Sequence, residues 1–117
     1  MLTWAAIVFA IAALGGVTLA TLHFRGRTPP PMPLALLHGV LAASGLALMI
    51  GAALTQPGLR GLALASLVIF AVAALGGFYL FSFHVRGRAL PSAVVLIHGG
   101  AAVVAFLMLL AFLFVPA

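Results

Sequence analysis

The stretch FAIAALGG at positions 9–16 recurs as FAVAALGG at positions 70–77. Two shorter motifs recur in the same order: HFRGR at 23–27 returns as HVRGR at 84–88, and LHG at 37–39 returns as IHG at 97–99. Repetition at a fixed period indicates that one structural unit is present more than once. The sequence therefore predicts two tandem repeats, at about 1–56 and 61–117.

The composition is that of a membrane protein. Of the 117 residues, 67% are hydrophobic and 4% charged, whereas ordinary soluble domains carry roughly 25% charged residues. The five basic residues are all arginines spread over short loops, and there is no acidic residue and no cysteine. Scattered arginines form no basic stripe of the kind that binds nucleic acid, so we expect no such partner. Without cysteine, disulfides and thiol chemistry are excluded.

Four apolar runs are long enough to cross the hydrocarbon of a bilayer, which takes about 20 helical residues. They lie at about Leu2–Leu22, Leu34–Leu54, Leu62–Phe83 and Ala93–Val115. Prolines at 29–31 and 33, and the turn signal Thr55-Gln56-Pro57-Gly58, separate them. We predict a single transmembrane domain over 1–117, an all-α four-helix bundle in the lipid bilayer made of two helical hairpins.

The arginines predict an orientation. The loops after helices 1 and 3 each contain RGR, whereas the loop after helix 2 contains only Arg60. Because cytoplasmic loops are enriched in basic residues, we expect the RGR loops inside and both termini outside, in a bacterial inner membrane. Two hairpins of equal orientation predict a pseudo-two-fold axis along the membrane normal.

Every histidine lies in a repeated motif near the predicted cytoplasmic side: His23, His38, His84 and His98. Four arginines accompany them: Arg25, Arg27, Arg86 and Arg88. Ionisable residues in membrane helices are costly and commonly functional. Gly16 precedes His23 by seven residues, as Gly77 precedes His84, so each glycine shares a helix face with that histidine. These smooth strips suit either a flat ligand or close helix packing.

Haem b accounts for these features together. Its iron accepts two axial imidazoles, and its two propionates suit the forked guanidinium groups of arginine. The pattern resembles the small four-helix membrane b-type cytochromes, and the resemblance covers the whole chain. It implies that the four histidines are axial ligands, with Arg25, Arg27, Arg86, Arg88, Gly16 and Gly77 contributing to the cofactor site. It also implies electron transfer with a quinone or another redox partner, rather than hydrolase or transferase activity.

The number of haems stays open at this point. Two haems are expected, because all four histidines are duplicated with their arginines. Symmetry allows His23 with His38 and His84 with His98, or His23 with His98 and His38 with His84. It equally allows one haem on the axis between His38 and His98. Unlike familiar di-haem cytochromes b, this chain has all its histidines near one face.

Three other interpretations remain. In the first, the histidines are interfacial residues of a small cofactor-free membrane subunit or anchor. In the second, four imidazoles in one layer bind Zn²⁺ or copper. In the third, they form a proton or quinone site. The oligomeric state is not predicted.

Overall fold

The computed structural model describes residues 1–59 and 61–115 and consists of four α-helices. They are α1 (Leu2–Phe24), α2 (Met32–Thr55), α3 (Leu62–Val85) and α4 (Ser92–Phe114). Each is long and apolar enough to span a membrane. The prediction of an all-α four-helix membrane protein is therefore confirmed, with helix ends within two residues of those expected from the sequence. Arg60, on which part of the orientation prediction rests, lies outside the described residues.

The helices form an elongated bundle of 44 × 21 × 19 Å. The neighbouring pairs are α1–α2, α2–α3, α3–α4 and α1–α4, so α1 lies diagonally across from α3 and α2 from α4. Packing is more extensive within the hairpins α1–α2 and α3–α4 than between them. The helices are apolar on all sides, as expected where the outer face meets lipid rather than water.

The RGR motif ends α1 and α3 by the same hydrogen bonds. Gly26 adopts a φ of 90° and Gly87 a φ of 64°, in the left-handed region that suits glycine. The Arg27 N–H donates to the carbonyl of Leu22 at 3.0 Å, and the Gly26 N–H donates to that of His23 at 3.0 Å. Arg88 and Gly87 repeat both bonds at the end of α3. This pattern is the Schellman motif, which satisfies the last carbonyls of a helix.

Both RGR turns lie at one end of the bundle, here called the RGR end. The Leu90 N–H donates to Thr28 Oγ1 at 2.8 Å, which joins the two interhelical turns directly. At the opposite half, the rings of Phe9 and Phe70 stack across the α1–α3 diagonal with centroids 3.9 Å apart. These residues occupy matching positions of the two repeats. The pseudo-two-fold axis itself stays a prediction.

Candidate functional site

His38 and His98 are each held by a carbonyl of the neighbouring helix. Nδ1 of His38 lies 2.8 Å from the carbonyl oxygen of Ala12, and Nδ1 of His98 lies 2.7 Å from that of Ala73. Because a carbonyl oxygen only accepts, Nδ1 must carry the proton and donate in both bonds. Each neutral ring is left with the lone pair on Nε2. This is the tautomer found in metal-binding histidines whose other nitrogen donates to a backbone carbonyl.

The same two imidazoles lie close together across the α2–α4 diagonal. Their ring centroids are 6.2 Å apart and their planes are inclined by 87°. A metal bound to an imidazole nitrogen lies about 2 Å from it and therefore about 3 Å from the ring centre. Two imidazoles on opposite sides of one metal ion thus have centroids about 6 Å apart. The spacing of His38 and His98 would allow both rings to bind one metal ion.

Gly16 of α1 and Gly77 of α3 let the imidazoles of His38 and His98 pack closely against these helices. A Cβ on Gly16 would lie 3.0 Å from Cε1 of His38, and one on Gly77 would lie 3.1 Å from Cε1 of His98. Contacts this short require the ring to move. The sequence places each glycine on the same helix face as His23 or His84. In the structure the glycines contact the histidines of the partner helices, which seven-residue spacing within one helix does not reveal.

A cavity of about 580 Å³ separates the two hairpins. This volume is within the range of roughly 300–1,000 Å³ typical of pockets that bind small molecules and cofactors. His38, His98, Gly16 and Gly77 lie in its wall, which is otherwise almost entirely apolar. The Phe9–Phe70 stack bounds the end farthest from the RGR turns. The cavity can therefore hold a flat, mainly apolar ligand next to the facing imidazoles.

His23 is engaged in a different way. It is buried at 6% exposure, with Nδ1 2.8 Å from Thr28 Oγ1 and Nε2 2.9 Å from Ser92 Oγ. Both ring nitrogens are thus hydrogen-bonded to side chains, and the bond to Ser92 joins α1 to α4. His23 does not line the cavity. Its environment is that of a structural histidine that joins the two hairpins at the RGR end.

His84, the counterpart of His23 in the second repeat, has no such partners. Its Nδ1 lies 3.3 Å from the carbonyl oxygen of Leu80, one turn earlier on α3. Its Nε2 is buried without a hydrogen-bond partner, and it is the only such side-chain atom in the described residues. The ring lies against Phe81, with centroids 6.2 Å apart and planes 25° apart, and it lines the cavity.

The four arginines of the RGR motifs are exposed at the RGR end and do not line the cavity. Arg86 folds back on its own helix. Its Nε donates to the carbonyl of Ser82 at 3.1 Å, and its guanidinium carbon lies 4.6 Å from the centre of the Phe83 ring. The motif therefore ends both helices and places four exposed positive charges at the RGR end.

A site made of four imidazoles is not assembled. Within residues 1–59 and 61–115, no group of three or more histidine, cysteine or acidic side chains is close enough to hold a metal ion. The four histidines are instead divided into one close pair, one residue with both ring nitrogens hydrogen-bonded, and one whose Nε2 is buried without a partner in the described residues. Sequence reasoning missed the roles of Thr28 and Ser92. The only available signal was that their repeat counterparts, Ala89 and Met32, lack hydroxyl groups.

Comparisons with protein-family models, with curated proteins and with solved structures give no match to this chain. The function must therefore be argued from the geometry of the site.

Proposed function

We propose that this protein binds one haem b between His38 and His98 and works as an electron-transfer protein of the membrane. The observation that carries the proposal is the close imidazole pair of His38 and His98, 6.2 Å between ring centroids, with Nδ1–H of each ring bonded to a backbone carbonyl. The fit rests on three features of the chain. They are two neutral imidazoles, the glycines Gly16 and Gly77 at positions where a Cβ would press on these imidazoles, and a cavity beside them.

One haem is proposed instead of the two expected from the duplicated histidines. Both nitrogens of His23 already have hydrogen-bond partners, so ligation by His23 would break the bonds to Thr28 and Ser92. His84 alone cannot provide a second pair. In the described residues neither Nε2 atom of His38 and His98 has a hydrogen-bond partner, while both Nδ1 atoms are anchored, so ligation by this pair breaks no such bond.

Each group of the chain has a separate role in this proposal. The carbonyls of Ala12 and Ala73 fix the tautomer and orientation of the two imidazoles. Gly16 and Gly77 keep the space beside the rings open, and the apolar wall excludes water. When bound, the haem would supply one-electron oxidation and reduction at its iron. Because His38 and His98 would both bind the iron, we expect electron transfer and no substrate chemistry at the metal.

The RGR end would receive the carboxylates of the cofactor. The chain has no acidic side chain, so four arginines at that end have no carboxylate partner of their own. Guanidinium groups bind carboxylates with paired hydrogen bonds. We propose that this end faces the cytoplasm of a bacterium, with both termini outside, since positively charged loops are retained on that side. A membrane quinone or a redox protein would be the electron partner.

The proposal is tested by the absorption spectrum of the detergent-purified protein, oxidised and then reduced with dithionite. We expect a red protein with a sharp α-band on reduction. His38→Ala and His98→Ala should each lose the haem, whereas His84→Phe should keep it. His84→Phe is the matched control, because it also removes a cavity-lining imidazole. A colourless wild-type protein after reconstitution with hemin would favour the cofactor-free anchor, and haem retained in both alanine variants would disprove the assigned ligands.

A further inference from the structure

The buried Nε2 of His84 has no partner in the part of the chain that the structure describes. Buried polar groups are hydrogen-bonded in nearly all native proteins, because a missing bond leaves the cost of desolvation uncompensated. A buried nitrogen without a partner, on a side chain that lines a cavity, therefore indicates a hydrogen-bonding group from outside the chain.

The residues around His84 lack the hydroxyl groups that bind His23. In the first repeat, His23 is bonded to Thr28 and Ser92. The repeat counterparts around His84 are Ala89 and Met32, neither of which has a hydroxyl group. The two histidines occupy matching places at the ends of α1 and α3, yet only His84 has a free nitrogen. This difference is one of residue type, and it does not depend on a small shift of the side chain.

The cavity connects His84 to the lipid. Its wall includes Leu36 and Val40 of α2 and Phe78 of α3, whose side chains are largely exposed. Because α2 and α3 are neighbours, these residues border a cleft between the two hairpins. A molecule dissolved in the bilayer can therefore reach His84 without crossing the aqueous phase. Phe81, stacked beside the His84 ring, offers an aromatic face to a flat ligand.

We propose that His84 Nε2 accepts a hydrogen bond from a lipid-soluble hydroquinone bound in the α2–α3 cleft. When Nδ1–H points to the carbonyl of Leu80, Nε2 carries a lone pair and requires a donor. The hydroxyl of a hydroquinone is such a donor, whereas a haem carboxylate has no proton to give. The inference rests on the proposed function, because it names the molecule that would exchange electrons with the haem.

The decisive variant leaves His84 unchanged. Met32→Ser combined with Ala89→Thr places around His84 the two hydroxyl groups that saturate His23. Nε2 should then be occupied by the protein itself. His84→Phe removes the nitrogen while keeping an aromatic ring against Phe81, and His84→Gln restores a polar group at the Nε2 position.

The measurement is ¹⁵N NMR of histidine-labelled protein in lipid nanodiscs, fully reduced and anaerobic, titrated with decylubiquinol. We expect a saturable shift of one Nε2 resonance, assigned to His84 by its loss in His84→Gln. Affinity should fall about tenfold in His84→Phe and in the double variant, the factor expected when one hydrogen bond is lost. His84→Gln should bind the quinol with an affinity within a few-fold of that of the wild type, because the glutamine side chain can keep the hydrogen bond.

Equal affinity in all variants, a shift at another histidine, or an Nε2 resonance already hydrogen-bonded to water and unchanged by the quinol would overturn the inference. The absorption spectrum of each sample reports the haem separately. Normal haem with unaltered quinol binding in the variants rejects the quinol site alone. Absent haem with variant-sensitive quinol binding rejects the proposed cofactor alone.

Discussion

At the level of single residues, one side-chain type has three environments in this bundle. His38 and His98 each donate from Nδ1 to a backbone carbonyl, His23 bonds two hydroxyl groups, and His84 has one buried free nitrogen. These differences arise from the neighbours of each histidine, because the imidazole is chemically the same in all four. A role for a histidine therefore follows from what contacts it rather than from its presence in a motif.

The glycines beside the central pair provide a residue-scale prediction. A methyl group at Gly16 or Gly77 would press on Cε1 of His38 or His98 at 3.0 or 3.1 Å and turn the ring. We expect Gly16→Ala and Gly77→Ala to reduce haem affinity by about 10–100-fold, as for other changes that misorient a metal ligand. Hemin titration of the purified apoprotein, followed by absorbance, measures this.

Gly100→Ala is the matched control. Gly100 also lies inside a membrane helix, but a Cβ there meets no atom within 4 Å. Its substitution should leave haem affinity unchanged and stabilise the helix slightly, by up to about 1 kcal/mol. If Gly16→Ala and Gly77→Ala bind haem as tightly as Gly100→Ala, then the close approach of glycine to the imidazoles has no part in cofactor binding.

At the level of elements, the RGR motif has a structural role besides its charge. The left-handed glycine lets its own N–H and that of the following arginine turn back to the last carbonyls of α1 and α3. The arginines of the motif predict membrane topology and a site for cofactor carboxylates. The glycine between the arginines is explained by helix termination alone.

This role predicts a specific order of stabilities for substitutions of Gly26. Gly26→Ala should lower the free energy of unfolding by about 1 kcal/mol, since a β-carbon disfavours positive φ. Gly26→Asn should lower it less, because asparagine tolerates the left-handed conformation better than other residues do. Thermal unfolding in detergent, followed by circular dichroism, compares them. Equal stability of the two variants would mean that the Schellman turn contributes nothing measurable.

The helices could be predicted from sequence, whereas their lateral contacts could not. Long apolar runs predict membrane-spanning helices, because a helix satisfies its own backbone hydrogen bonds in lipid. Pro31 and Pro91 immediately precede α2 and α4, so the prolines locate both helix starts to within two residues. The pairing of histidines depends on which helix faces lie inside, and helices that are apolar on all sides carry no such signal. For that reason the structure, and not the repeat, distinguishes His38–His98 from the other pairs.

At the level of the whole molecule, the two hairpins have the same hydrogen bonds around His38 and His98 but different ones around His23 and His84. The bonds around His38 and His98 are alike in the two hairpins, at 2.8 and 2.7 Å to Ala12 and Ala73. Near the RGR end, only the first repeat has the hydroxyl-bonded histidine. The matching histidines of the two repeats at the RGR end can therefore have different roles, while His38 and His98 have the same hydrogen-bonding environment.

The proposed orientation is open to a direct test. Because the chain contains no cysteine, single cysteines introduced at the exposed positions Thr3 and Ala89 report one side each. In intact bacterial cells, a membrane-impermeant maleimide should label Thr3→Cys and not Ala89→Cys, and permeabilised cells should show labelling of both. Labelling of Ala89→Cys alone in intact cells would reverse the orientation, since the positive loops would then lie outside.

The central claim is that one haem binds between the imidazoles of His38 and His98. Native mass spectrometry of the protein released from detergent counts the cofactor on each chain directly. The account predicts one haem per chain in the wild type. Two haems per chain would contradict it by requiring His23 and His84 as ligands, and a chain that carries none after hemin reconstitution would contradict it entirely.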